Sequence, residues 1–186
     1  LSGDNVFLDK DRNLTLDTNI LGVSPNGWEI KASELKYNKE TQELISTKPM
    51  YAKNEEKGVE VLANKFKTTI SMDNITLEDG VIIKNKLFSI LADRANYNNS
   101  SKIITLEGNI RLSNRIGEVG NINTLKDIKD IQNNSVNKTD KEMSGTFSKV
   151  YFNLDERNLY ATDGFDLKYD EVGLKGKNIV LNEITQ

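Results

Sequence analysis

The chain repeats itself about every thirty residues, and such a repeat commits a sequence to an array of similar supersecondary units before any single element is assigned. With Tyr37 as reference, sliding the sequence over itself brings Thr68, Tyr97, Phe152 and Leu181 into one column. Five residues before these stand Ala32, Ala63, Ala92, Phe147 and Gly176, and two residues before stand Leu35, Phe66, Ala95, Val150 and Ile179. Seven residues after the first four come Leu44, Ile75, Ile104 and Leu159, and nine after come Ser46, Leu77, Leu106 and Ala161. A glycine follows as Gly80, Gly108 and Gly164, and the N-terminal stretch joins the pattern with Phe7, Leu14 and Leu16.

Within a unit the apolar columns are two apart, the period of a half-buried strand and not of a helix. The spacing between the first and second columns is odd. One face can therefore stay inward only if an extra residue is accommodated there, which predicts a bulge or sharp twist in every unit. Polar turns such as Asn38-Lys39-Glu40-Thr41, Asn98-Asn99-Ser100-Ser101 and Asn153 to Asn158 separate the first strand from the second. The only prolines are Pro25 and Pro49, so the later strands contain none to exclude them from a sheet. Between Tyr97 and Phe152 the period is recovered by removing residues 121–144, a stretch rich in Asn, Lys and Asp that reads as an inserted, mobile loop. The chain is thus expected to be a single all-β domain over residues 1–186, with little helix and one insertion.

Residue types that are missing remove several functions. There is no histidine and no cysteine, which excludes Ser-His-Asp and Cys-His machinery, disulfides and thiolate zinc sites. Carboxylate pairs such as Glu55-Glu56 and Glu78-Asp79 stand in or beside turns, where a solvated charge is expected and not a glycosidase pair. No glycine-rich phosphate loop follows a strand and opens a helix. The 25 basic and 28 acidic residues, without long runs of one sign, give no nucleic-acid footprint. The expectation is a non-enzyme with no cofactor, no metal and no nucleic-acid partner. No stretch is long and apolar enough to span a membrane as a helix. Leu1 is not an initiator methionine, so an export signal or membrane anchor is expected to lie outside this sequence.

Periodicity leaves two architectures open: a closed antiparallel sandwich whose core residues touch one another, and an open sheet pair whose inner face holds a ligand.

At Ala92-Asp93-Arg94-Ala95-Asn96-Tyr97, followed by Lys102 to Leu112 with its Gly108-Asn109-Ile110, the sequence resembles the OstA-like family of lipopolysaccharide-transport proteins. The block from Gly145 to Leu167 is similar, with Phe147, Val150, Phe152, Leu159 and Gly164 at matching places. Thr68 departs from the pattern, since an aromatic residue is usual there, and so does the insertion.

The resemblance implies an antiparallel repeat β-jellyroll folded into a V-shaped open sandwich, located in the periplasm. It implies an apolar trough that carries the acyl chains of lipopolysaccharide between the inner and outer membranes. The lipid-facing set is then Ile30, Leu35, Tyr37, Val61, Phe66, Ile75, Leu77, Ile90, Tyr97, Ile104, Leu106, Val150, Phe152, Leu159 and Ile179. Edge strands near Val6 and Leu8, and near Ile179 and Leu181, are expected to pair with other bridge proteins of the system, with an inner-membrane ABC transporter supplying the drive. Both the LptC-like component, anchored at the inner membrane by an N-terminal helix, and the soluble LptA-like bridge fit the length. A structural or adhesive β-repeat domain of the cell envelope is the alternative.

Overall fold

A computed structural model describes residues 2–24, 27–85, 88–113 and 143–182. Every regular element among them is a strand. In chain order these are β1 (Asn5–Leu8), β2 (Leu14–Val23), β3 (Trp28–Asn38), β4 (Glu43–Ser46), β5 (Met50–Asn54), β6 (Val59–Thr69), β7 (Asn74–Lys84), β8 (Ser89–Ala92), β9 (Arg94–Asn98), β10 (Ile103–Glu107), β11 (Ile110–Ser113), β12 (Met143–Asn153), β13 (Asn158–Tyr169), β14 (Val172–Gly176) and β15 (Ile179–Asn182). All pair antiparallel in one continuous sheet. The antiparallel all-β architecture expected from the period-two columns is therefore the one observed. Met143 and Ser144, read from the sequence as the end of the insertion, belong instead to β12, where Ser144 faces Ser113. Positions 121–142 lie outside the described residues.

The sheet is a ladder of rungs, each pairing with the next along the chain. Some rungs are one long strand and others are two short ones end to end: β5 and β4 together face β6, β8 and β9 face β7, β10 and β11 face β12, and β14 and β15 face β13. The break or bend falls at the same height in each. Register shifts occur between Ala63 and Lys65 and between Phe147 and Lys149, inside the odd-spaced interval that predicted a bulge. Asp93 separates β8 from β9 in the same interval of the next unit.

Local chemistry makes these bends. Asp79 and Gly80 have φ of 62° and 94°, and Asn64 Nδ2 donates to the Asp79 carbonyl across the bend. At Gly108 φ is 71° and any Cβ would collide with the Asp93 carboxylate, so only glycine fits. Asn109 Nδ2 then donates to Asp93 Oδ2 at 2.8 Å.

The bends divide every rung into two arms. Arm A holds positions 20–23, 28–32, 50–54, 59–63, 81–84, 89–92, 110–113, 143–147, 165–169 and 172–176. Arm B holds 5–8, 14–17, 34–38, 43–46, 65–69, 74–78, 94–98, 103–107, 149–153, 158–162 and 179–182. Alternate side chains of each arm point to a shared interior, where Val61, Val81, Ile83, Ile90 and Ile110 of arm A join Leu35, Phe66, Leu77, Leu106 and Val150 of arm B in one buried cluster. Two edge-to-face or tilted ring pairs span the arms near their tips: Trp28 with Tyr97 and Phe88 with Phe152, each 6.4 Å between centroids. A smaller cluster of Leu62 and Ile82, with Tyr51 and Leu91, forms on the other face of arm A.

Candidate functional site

The interior is open in its N-terminal part. A narrow central cleft, with a cavity volume of about 70 Å³, is walled by Trp28, Ile30, Met50, Ala52 and Val61 from arm A and by Phe66, Ile75, Leu77, Tyr97 and Ile104 from arm B, with Met72. Among the described residues its polar wall residues are Ser24 and Asn99. Tyr97 turns its hydroxyl to Asn99 Oδ1 at 3.3 Å, and burial, then the charge of Asp155, push its phenol above the ordinary tyrosine value. A second, end cleft of about 270 Å³ lies on arm B toward the N-terminal edge, lined by Leu14, Leu16, Leu35, Tyr37, Leu44, Ile70 and Met72. Apolar lining with a few polar groups at the rim is the ordinary form of a site for a hydrophobic ligand.

Of the residues that the sequence assigns to lipid, Ile30, Val61, Phe66, Ile75, Leu77, Tyr97 and Ile104 come together in the central cleft. Leu35 and Tyr37 line the end cleft. Ile90, Leu106, Val150, Phe152 and Leu159 occupy the C-terminal part of the interior, where each is at most 3% exposed and packs directly on its neighbours. Ile179 is half-buried against that core. Sequence reasoning missed Trp28, Met50, Ala52 and Met72 as wall residues. Trp28 and Met72 lie off the repeat columns, and the only signal was a large apolar residue set among polar turn residues.

The C-terminal part is also closed at its mouth. The turn after β5 in arm A and the turn after β12 in arm B meet there: Lys57 Nζ lies 2.7 Å from Asp155 Oδ1, and Arg157 Nη2 donates to the Glu56 carbonyl at 3.5 Å. Leu154, in the second turn, is 2% exposed and its N–H donates to the Lys102 carbonyl.

The two ends of the ladder cover the apolar face to different degrees. Val6 and Leu8 pair with Leu16 and Leu14, whose side chains face the interior, yet Val6 and Leu8 are 59% and 68% exposed. At the other end Ile179 and Leu181 pair with Ala161 and Leu159 and are half-buried against the core. Among the described residues β1, β14 and β15 each pair with a single strand, which makes them the edges of the described sheet.

The class defined by these features is an antiparallel β-ladder bent into two facing arms around an apolar interior. No protein-family model and no curated protein matches the chain. Among solved structures it is similar to LptH, the LptA homologous periplasmic component of the lipopolysaccharide transport device from Pseudomonas aeruginosa, at 8% sequence identity and a TM-score of 0.49. The match covers 68% of this chain and 77% of that one.

Proposed function

We propose that the protein is a non-enzymatic, periplasmic lipid-binding component of lipopolysaccharide transport, which holds acyl chains between its two arms. The observation that carries this reading is the central cleft: ten apolar wall residues drawn from both arms, of which Trp28, Ile30 and Ile75 are only partly buried. An open apolar cleft is costly to keep wet. Each methylene moved into it from water contributes about 0.8 kcal/mol, so even a partly buried acyl chain gains several kcal/mol without any bond being made. Such binding needs neither a catalytic group nor a cofactor.

The same reading gives the edges a use. Val6 and Leu8 extend the interior face past the last rung, and a neighbouring bridge protein that adds a strand to β1 continues both the sheet and the trough. The other edge, β15, offers Ile179 and Leu181 in the same way. Directional movement along near-equivalent apolar columns then comes from an ATP-driven transporter in the inner membrane. The tight packing around Phe152 favours a second reading, a structural or adhesive envelope domain.

Photo-crosslinkers separate the two. Placed at Ile30, Phe66 or Tyr97 they are expected to capture lipopolysaccharide, whereas Lys65, Arg94 and Lys149, on the opposite face of arm B, are expected to capture none. Equal labelling of both sets, or none at the first, leaves the structural domain as the account to keep.

A further inference from the structure

Each unit of the ladder turns at the tip of arm B through one residue with a left-handed backbone. In successive units this residue is Arg12, Gln42, Met72, Lys102 and Arg157, with φ between 53° and 61°. Such a conformation favours Gly, Asn or Asp and gives no reason for an apolar side chain. Four of these residues are long and polar, as an exposed turn requires. Met72 is the exception, and it is the only apolar non-glycine residue with positive φ among the described residues.

Met72 is half-buried against the core and borders both clefts. Its unit breaks the repeat a second time. Where the neighbouring units place the rings of Tyr37 and Tyr97, this one has Thr68, whose hydroxyl donates to the Asn74 carbonyl at 2.7 Å. Tyr37 lines the end cleft and Tyr97 the central cleft, and Met72, from the unit that lacks the ring, borders both. A thioether chain with three rotatable bonds is well suited to a partition that adjusts to its contents.

Resting on the lipid-binding reading, we propose that Met72 divides the open interior into two acyl-chain subsites, so that the preferred ligand is a lipid with at least two chains, one on each side of Met72. A single-chain amphiphile fills one subsite and leaves the other wet. A two-chain lipid places one chain on each side of Met72.

The test uses the full chain with phosphatidylglycerol, which has two chains, and lysophosphatidylglycerol, which has one of the same length, each carrying a diazirine at mid-chain. Native mass spectrometry reads affinity and stoichiometry, and peptide mapping locates the labels. The expected result is one phosphatidylglycerol per chain, labelled on both sides of Met72 and bound at least about tenfold more tightly than lysophosphatidylglycerol, because the second chain adds its own burial. Met72→Gln installs the residue that already holds this backbone conformation at Gln42, so it is expected to fold and to lose most of that preference. Ile70→Trp, at a side chain 55% exposed on the rim of the end cleft, is expected to lose the end-cleft labels and the preference together. Equal affinity for the two lipids with labels confined to the central cleft, or a preference that survives both substitutions, overturns the two-subsite arrangement while lipid binding stands. Absence of label in both clefts removes the lipid reading and this inference with it.

Discussion

The two parts of the interior are built from the same repeat and end in opposite states. Around Trp28, Ile30 and Ile75 the arms leave a cleft whose walls are partly exposed, whereas around Phe152 and Leu159 they meet and exclude solvent. The columns alone do not distinguish these regions, since Leu35, Phe66, Ala95 and Val150 occupy one position of the repeat in both. What differs is the residues between columns. Phe88 and Leu154 reach into the C-terminal part from turns, and the contact of Lys57 with Asp155 draws the tips together there. A repeat thus sets where an interior exists, and its irregular residues decide whether that interior is filled.

The largest test of this contrast is truncation on each side. Phe152→Ala empties a site 2% exposed and is expected to cost about 3–5 kcal/mol in urea unfolding, because the closed packing leaves a cavity. Ile30→Ala, on a wall already open to solvent, is expected to cost only about 1–2 kcal/mol. Similar losses at the two positions would mean that the cleft is closed in solution.

Next in size is deletion of residues 121–142. Ser113 and Ser144 face one another in the pairing of β11 with β12, so the chain leaves and returns at adjacent points of the packed part. A short turn in its place is expected to preserve the fold and to raise stability by about 1 kcal/mol through the shorter closure. Loss of the far-UV β spectrum would show that this part depends on the removed residues.

A smaller effect is expected with acid, and in the open part first. Burial acts to raise the Glu34 carboxyl, but the Thr47 hydroxyl at 2.9 Å and the ammonium groups of Lys36 and Lys48 outweigh it, so the group lies below its ordinary value. A lowered folded value means that its contribution is present above the unfolded pKa and fades as pH falls through the folded one. Hydrogen exchange in β3 and β5 should therefore rise below about pH 4, before exchange in β12 and β13 does, and Glu34→Gln should remove the difference.

The smallest expected effect is that of Lys57→Glu. The pair it breaks is largely solvated on the Asp155 side, so stability should fall by less than about 1 kcal/mol. The informative readout is spatial. Labelling of Phe152 and Leu159 by a diazirine lipid should increase if the clasp is what keeps lipid out of the packed part.

Much of the ladder was legible because strand geometry leaves little choice: side chains two apart share a face, so Phe66 with Thr68, Ile75 with Leu77 and Ala95 with Tyr97 had to point inward together. The bends were legible for the same reason, as an odd step that only an extra residue reconciles. The walls from Trp28 and Met50 were not, because they follow from how the arms lean toward one another across turns and not from any period. The extent of filling was illegible too. Leu154 reads as one apolar residue in a polar turn, and only the folded chain shows it tucked under Lys102.

Among the described residues each rung of the ladder pairs with the rung next to it in sequence and with no distant one, from β1 against β2 to β13 against β14 and β15. Such a molecule behaves like a zipper. Its order is written along one dimension, so structure can start at any well-packed unit and spread outward, and the free energy to open a rung falls toward either end. The packed rungs around β12 are then the natural seed, and β1, with Val6, Phe7 and Leu8 exposed, is the last tooth to close and the first to part. If a neighbour offers a strand at this edge, as proposed above, the joint between two molecules would form by the same kind of pairing that completes the fold of one.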